Sequence, residues 1–268
     1  MAISKHDNMS FLEHLEELRW HVIRSLIAII SAGFVCFLMK DFIFDTIIFG
    51  PKKMDFPTYK FLCQAATFIG VETNFCGDEF PFVVQNRTMA GQFSAHVMTS
   101  VISGFIISFP YVLYEFWKFI SPGLLEKEKA KSRGFIFISS ILFFVGVLFG
   151  YYVISPLSIN FLGTYQVSTQ VLNEIDLGSF ISLVRSSALA SGIIFELPII
   201  IYFLTKAGVV TPESLVKYRK YALVLVLILA AIITPPDVAS QIIVAIPIVV
   251  LYQVSIFISK IVVKNQNK

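Results

Sequence analysis

The sequence predicts an all-α, polytopic membrane protein that crosses the bilayer six times. Of its 268 residues, 56% are hydrophobic and only 15% are charged, whereas soluble domains are usually about 45–50% apolar and about 25% charged. The mean hydropathy is +0.77, and the apolar residues collect in long runs. Because about 20 apolar residues cross the hydrocarbon core, such runs indicate membrane-spanning helices. The six runs lie near 21–39, 96–117, 135–155, 184–204, 221–234 and 238–259.

The fifth and sixth runs are expected to be short spans. Tyr221–Thr234 has fourteen positions, which give about 21 Å of helix and fall short of a normal hydrocarbon core. The sixth run is split by Pro247. A short hairpin of this kind is expected to thin the bilayer locally or to pack against partners. A single re-entrant pair is the alternative interpretation.

Basic residues predict the orientation of the spans. With six spans both termini lie on one side, and most of the 21 lysine and arginine residues fall in the segments on that side. Since cytoplasmic loops carry an excess of these residues, we expect both termini in the cytoplasm. The chain 1–268 is then a single integral membrane domain. Its predicted parts are an N-terminal amphipathic helix at 10–20, an outer loop at 40–95, and cytoplasmic loops at 118–133 and 205–220.

A capping box begins the amphipathic helix. In the segment 10–13, SFLE, the serine hydroxyl and the glutamate carboxylate can satisfy backbone N–H groups of the first turn. Apolar side chains then share one face, while Glu16 and Glu17 lie on the other. We expect this helix to lie along the membrane surface before it turns into the first span. His14, Glu17 and His21 also align, but with no other nearby histidine or cysteine we predict no metal site and no cofactor.

The loop 121–133, SPGLLEKEKAKSR, mixes acidic and basic residues. One interpretation is a solvated loop in which ion pairs stabilise a helix. The other is that Glu128 converges with Glu17 on one cytoplasmic surface. Two carboxylates there could each accept the forked donors of an arginine, and so bind two adjacent arginine residues.

The outer loop contains Cys63 and Cys76. A disulfide is permitted outside the cytoplasm. The sequence supplies no distance between the two residues, so a bonded pair and two free thiols both stay open.

One carboxylate stands inside the fourth apolar run. Glu196 lies in GIIFELPIIIYFL, residues 192–204, where a charged group at mid-bilayer costs roughly 2.5–3.5 kcal/mol. It could be a neutral glutamate hydrogen-bonded for packing, part of a proton relay, or part of a polar patch on a concave face open to the membrane. We favour the patch, as a surface that receives a partner's transmembrane helix. Glu115, near the end of the second span, is expected to reach the lipid headgroups.

Other function classes have little support in the sequence. We find no GxSxG motif, no HExxH motif and no paired aspartates within a span, so we do not expect an enzyme. The alternative function, a proton-coupled small-molecule transporter, would usually show broken helices in two related halves. The basic residues flank the spans without forming a stripe, which argues against binding of nucleic acid.

Several segments together resemble the TatC family, the polytopic subunit of the twin-arginine protein translocase. In chain order they are FLEHLEELR, FPYVLYEFWKFISPGLLEKEKA, FELP, and TPPDVASQ before AIP. The resemblance implies a receptor for signal peptides that carry two consecutive arginines, in the bacterial cytoplasmic (inner) membrane. It also implies export of folded proteins driven by the proton-motive force, TatA-type and TatB-type single-span partners, and self-association within the lipid bilayer.

The resemblance also implies roles for individual residues. Those implied to bind the signal peptide are Glu17, Arg19, Phe119, Pro122 and Glu128. Those implied to form membrane-embedded polar or partner contacts are Glu196, Asp237 and Gln241, and Pro51 is implied to be structural. The chain departs from the family pattern at Gln253, where an acidic residue is expected in the last span.

Overall fold

A computed structural model describes residues 11–70, 76–77, 79–120, 132–168, 170–234 and 238–266. Its α-helices are α1 (Phe11–Leu38), α2 (Pro57–Ile69), α3 (Gly91–Ile120), α4 (Ser132–Phe149), α5 (Ser155–Thr164), α6 (Leu177–Phe195), α7 (Leu197–Lys206), α8 (Pro212–Lys217), α9 (Arg219–Ile233) and α10 (Val238–Gln266). Two short strands are β1 (Phe82–Gln85) and β2 (Asn173–Asp176). Single π-helical turns occupy Phe42–Ile48 and Gly150–Ile154, and a 3-10 turn occupies Gly50–Lys52.

The described residues contain 5 helical segments long and apolar enough to cross a membrane. They are Leu15–Leu38, Gly91–Ile120, Gly134–Thr164, Leu177–Lys206 and Ser240–Lys264. A mostly helical, polytopic membrane protein is therefore confirmed. Helix α9 is not among them because its 15 residues reach only about 22 Å.

The sixth apolar run differs from its prediction. Helix α10 has 29 residues and passes through Pro247 without a break, so the predicted short sixth span is wrong. A proline is tolerated in a membrane helix when nearby groups satisfy the carbonyl that it leaves free. The helix extends beyond the apolar run because residues 259–266 contain neither glycine nor proline.

The first helix also differs from its prediction. Helix α1 runs for 28 residues without interruption, so the predicted turn between the amphipathic segment and the first span is wrong. No glycine or proline occurs between Phe11 and Ala32. Nothing in the local backbone therefore opposes a continuous helix.

A small parallel sheet is the exception to the predicted all-α fold. Strand β1 pairs with β2, and Phe82 lies opposite Asn173. The sequence of β2, NEID, has no alternation of apolar and polar residues, which is why the strand was not predicted. Asp176 ends β2 and caps α6, since its side chain accepts a hydrogen bond from the Ser179 N–H at 3.2 Å.

The chain divides into two compact units, the first within Met1–Lys40 and His96–Ile141 and the second within Asp41–Ala95 and Leu142–Lys268. In the first unit, α1 and α3 run antiparallel. Phe37, near the end of α1, stacks on His96, near the start of α3, with 4.0 Å between ring centroids. The His96 Nε2 atom also lies 3.0 Å from the Phe37 carbonyl oxygen.

Two glycines let the backbones of α1 and α3 touch. A Cβ atom on Gly104 would lie 2.5 Å from the Gly33 nitrogen and 2.6 Å from its Cα. Small residues at such crossings are typical of membrane helix pairs, because close backbone approach increases van der Waals contact.

The second unit has an apolar core and a second close crossing. The core side chains are Ile154, Val226, Ala230, Val244, Ala245 and Ile248. Gly146 brings α4 against α6, since a Cβ atom there would lie 2.7 Å from the Ser191 carbonyl oxygen. This crossing fixes the position of α6, which carries Glu196 at its end.

The predicted outer loop is held by a buried tyrosine and a disulfide. The Tyr59 hydroxyl lies 2.8 Å from the Pro51 carbonyl oxygen and 3.0 Å from that of Pro156, and it donates to both. Burial raises the pKa of Tyr59, so the hydroxyl keeps the proton that it donates. Cys63 and Cys76, whose pairing the sequence leaves open, form a disulfide that closes the end of α2 onto the following segment.

Candidate functional site

A buried hydrogen-bonded pair joins α1 to α3 in the first unit. His21 Nδ1 lies 2.6 Å from Glu115 Oε2, and the two residues are only 8% and 2% exposed. Arg24, one turn further along α1, places Nη1 3.9 Å from the same oxygen. The expectation that Glu115 reaches the headgroups is wrong, because its carboxylate turns inward, where partners offset the cost of burying it.

Two of the predicted signal-peptide residues lie one turn beyond this pair. Glu17 precedes His21 by four residues on α1, and Phe119 follows Glu115 by four residues on α3. Residues four apart share a helix face. Because α1 and α3 are antiparallel, Glu17 and Phe119 lie at the same end of the helix pair. We call this end, defined by Glu17 and Phe119, the receptor end.

The Glu17 carboxylate is poorly satisfied. Its Oε2 atom is buried and has no hydrogen-bond partner among the described residues. Leaving a buried acceptor without a donor costs about 1–3 kcal/mol. A bound cation with several N–H donors would remove that cost.

The structure describes only two of the other residues predicted to bind the peptide. Phe119 is half-buried, and its ring lies edge-on to His21 with 6.3 Å between centroids. Arg19 is exposed, with its guanidinium 5.6 Å from the centre of the Trp20 ring. Pro122 and Glu128 lie outside the described residues.

Sequence reasoning missed the partnership of His21 with Glu115. Both residues stand within or beside apolar runs, and an ionisable residue in a membrane segment is by default a candidate for function and for pairing. That signal was present, but the partners are 94 residues apart, and nothing in one sequence pairs them.

Glu196 stands at the break between α6 and α7. Pro198 has no N–H to donate to the Ile194 carbonyl, so the helix cannot continue unchanged. The Glu196 N–H instead bonds the Ile193 carbonyl at 3.1 Å, and the Glu196 carbonyl accepts from Ile199 at 3.0 Å. Glu196 is 9% exposed, so its carboxylate lies within the second unit.

Among the other residues that the family resemblance concerns, Gln241 and Pro51 have hydrogen bonds in the structure. The Gln241 side chain donates to the Leu227 carbonyl at 3.1 Å, which ties α10 to α9. Gln253 is exposed on α10. Asp237 lies outside the described residues, and the Pro51 carbonyl accepts the Tyr59 hydrogen bond described above.

The fold and these sites define a multi-pass helical membrane protein with a buried carboxylate in each of its two units. The family model for "Sec-independent protein translocase protein (TatC)" matches residues 13–247. The chain therefore belongs to the TatC family. It is a receptor subunit of the twin-arginine translocase of the bacterial inner membrane, a transport component and not an enzyme.

Individual relatives agree with this assignment. The chain is 46% identical over 261 residues to the Sec-independent protein translocase protein TatC of Blattabacterium sp. subsp. Periplaneta americana, covering 97% of this chain and 98% of that protein. It is 34% identical to TatC of Aquifex aeolicus, again over 97% and 98% of the two chains. A solved structure titled "Crystal Structure of Twin Arginine Translocase Receptor- TatC" superimposes with a TM-score of 0.70 and 32% identity, covering 94% of this chain and all of that one. Membership of this family excludes the alternative prediction of a proton-coupled small-molecule transporter.

Proposed function

We propose that this protein captures the Arg-Arg motif of signal peptides at the receptor end. The observation that carries the proposal is the buried Oε2 atom of Glu17, which has no hydrogen-bond partner among the described residues and lies at the same end of the helix pair as Phe119. An arginine guanidinium would supply the missing donors through charge-assisted bonds. Phe119 provides an apolar wall for the stretch that follows the arginines.

The proposed site is completed by the loop between α3 and α4. Glu128 is the proposed second carboxylate, for the second arginine, and Pro122 is proposed to bind the peptide as well. Arg19 balances the acidic surface. The planar fork of arginine matches a carboxylate in a way that the ammonium of lysine does not, so the site is selective for Arg-Arg over Lys-Lys.

The proposed orientation places the receptor end in the cytoplasm. It requires six spans, with α9 as the short fifth span, and both termini on the cytoplasmic side. The excess of lysine and arginine in the segments on that side supports this topology. Folded cargo would then be exported by the proton-motive force together with TatA-type and TatB-type subunits and further copies of this chain.

Peptide capture tests the proposal. We expect Glu17→Ala to weaken binding of an Arg-Arg signal peptide by about tenfold or more, because a charge-assisted hydrogen bond is lost. The measurement is a titration of the detergent-solubilised protein with a fluorescent peptide. Glu16→Ala is the matched control, because Glu16 is an exposed neighbour on the same helix. Equal affinities for the Glu16 and Glu17 variants, or for Arg-Arg and Lys-Lys peptides, would reject the site.

A second proposed surface, at Glu196, receives a partner's transmembrane helix. Gln241 and Asp237, which belong to the last hairpin in the sequence, are the other polar residues proposed for this surface. Ile193 and Ile200 support it, because they lie three and four residues from Glu196 in the chain and are about half exposed. A partner's helix would therefore contact these exposed apolar side chains beside the largely buried carboxylate.

Crosslinking to a TatB-type subunit tests this second surface. We expect Glu196→Ala to reduce crosslinking from a photoreactive residue at position 200 by more than about half, since a polar contact in lipid contributes roughly 0.6–2 kcal/mol. Glu196→Gln, which keeps the hydrogen-bonding groups, should retain most of it. Unchanged crosslinking and unchanged export in Glu196→Ala, with a normal melting temperature, would leave the surface without a role.

A further inference from the structure

A groove lies in the second unit between the short helix α8 and the last turns of α10. Its volume is about 640 Å³, and its lining residues are Pro212, Glu213, Val216, Lys217, Lys260, Val263 and Lys264. The Tyr252 hydroxyl on α10 donates to the Leu215 carbonyl on α8 at 2.8 Å. This bond holds the two walls of the groove together.

The groove carries an excess of positive charge. Lys217, Lys260 and Lys264 line it together with a single acidic residue, Glu213. In the described part of the chain, the ion pairs involve His21 and Arg24 with Glu115 and Arg87 with Glu174, so none of them neutralises these lysines. Three ammonium groups facing one cavity favour an anion.

The groove is also continuous with an apolar surface that faces lipid. On α10, Phe257 and Ile261 lie within about one turn of Lys260 and Lys264 and are 65% and 44% exposed. Lys260 and Lys264 lie at the end of the apolar span Ser240–Lys264. Lipid headgroups begin at the depth where such a span ends. The site therefore offers cations at headgroup depth and hydrocarbon contact directly beneath them.

We propose that this groove binds an anionic phospholipid. Its phosphate would be held by Lys217, Lys260 and Lys264, and its acyl chains would lie against Phe257 and Ile261. Basic pockets beside transmembrane helices are suited to anionic headgroups, and lysine stems pack against apolar surface while their ammonium groups stay at the interface. A soluble phosphate would use the lysines but would gain nothing from the exposed apolar side chains below them.

Lipid retention by the whole protein tests the proposal. The detergent-purified chain is mixed with phosphatidylglycerol or with phosphatidylcholine of the same acyl chains, and bound lipids are counted by native mass spectrometry. We expect retention of phosphatidylglycerol over phosphatidylcholine. The variant Lys217→Gln, Lys260→Gln, Lys264→Gln should bind phosphatidylglycerol at least about tenfold more weakly, because it removes three cations from the site of the anionic headgroup.

A second triple variant controls for charge. Lys40→Gln, Lys60→Gln, Lys220→Gln removes the same charge from exposed positions outside the groove and should bind as the original chain does. Excess inorganic phosphate should not displace the lipid. Equal phosphatidylglycerol binding by the two triple variants, equal retention of the two lipids, or displacement by inorganic phosphate would each overturn the proposal. Arg-Arg peptide binding should be unchanged in the groove variant, so this test is independent of the peptide site.

Discussion

Replacing Glu115 with alanine is expected to destabilise the protein by about 2–3 kcal/mol, because the substitution leaves His21 buried without its hydrogen-bond partner. Both side chains are almost completely buried and their atoms are 2.6 Å apart. The measurement is the free energy of unfolding in mixed detergent micelles. Because the pair holds the receptor end together, affinity for the Arg-Arg peptide should fall as well.

An exposed ion pair provides the matched control for Glu115. Arg87 and Glu174 are 2.8 Å apart, with side chains 56% and 47% exposed. Glu174→Ala should therefore cost less than about 1 kcal/mol. In a double-mutant cycle, His21→Ala combined with Glu115→Ala should cost less than the sum of the single changes, because the two residues interact directly. Strict additivity, or equal costs at Glu115 and Glu174, would show that the buried pair does not stabilise the helix crossing.

Replacing Gly104 with alanine is expected to cost about 1–3 kcal/mol, because the added methyl group overpacks the crossing of α1 and α3. The methyl carbon would lie 2.6 Å from the Ile29 carbonyl oxygen as well as against the Gly33 backbone. These are backbone atoms, which cannot rotate away as a flexible side chain would. The two helices must therefore separate, and the loss should appear as a lower melting temperature in detergent.

Gly134 is the matched control for Gly104. It also lies in an apolar helix, but a Cβ atom there would meet nothing within 4 Å. Gly134→Ala should be neutral, or stabilising by up to about 1 kcal/mol through helix propensity. Equal destabilisation at Gly104 and Gly134 would mean that loss of glycine itself, rather than the close crossing, is responsible.

The site was predictable only in part. Glu17 was proposed from its position on the amphipathic helix and from the family resemblance, Phe119 from the resemblance alone, and the two lie at one end of one helix pair. Their mutual placement depends on the His21–Glu115 contact, which no local pattern contains. Similarly, the hydrophobicity of residues 238–259 indicated a span, but it did not show that helix α10 would continue to Gln266.

The sequence alone determined the helical membrane class, the positions of the long apolar segments and the family, because bilayer burial depends on the composition of each segment taken by itself. Tertiary structure decided which segments touch. The meeting of Gly33 with Gly104, the pairing of β1 with β2, and the convergence of Lys217 with Lys260 and Lys264 each depend on two distant segments at once. Such contacts are set by how whole helices pack, and the chemistry of one segment does not name its neighbour.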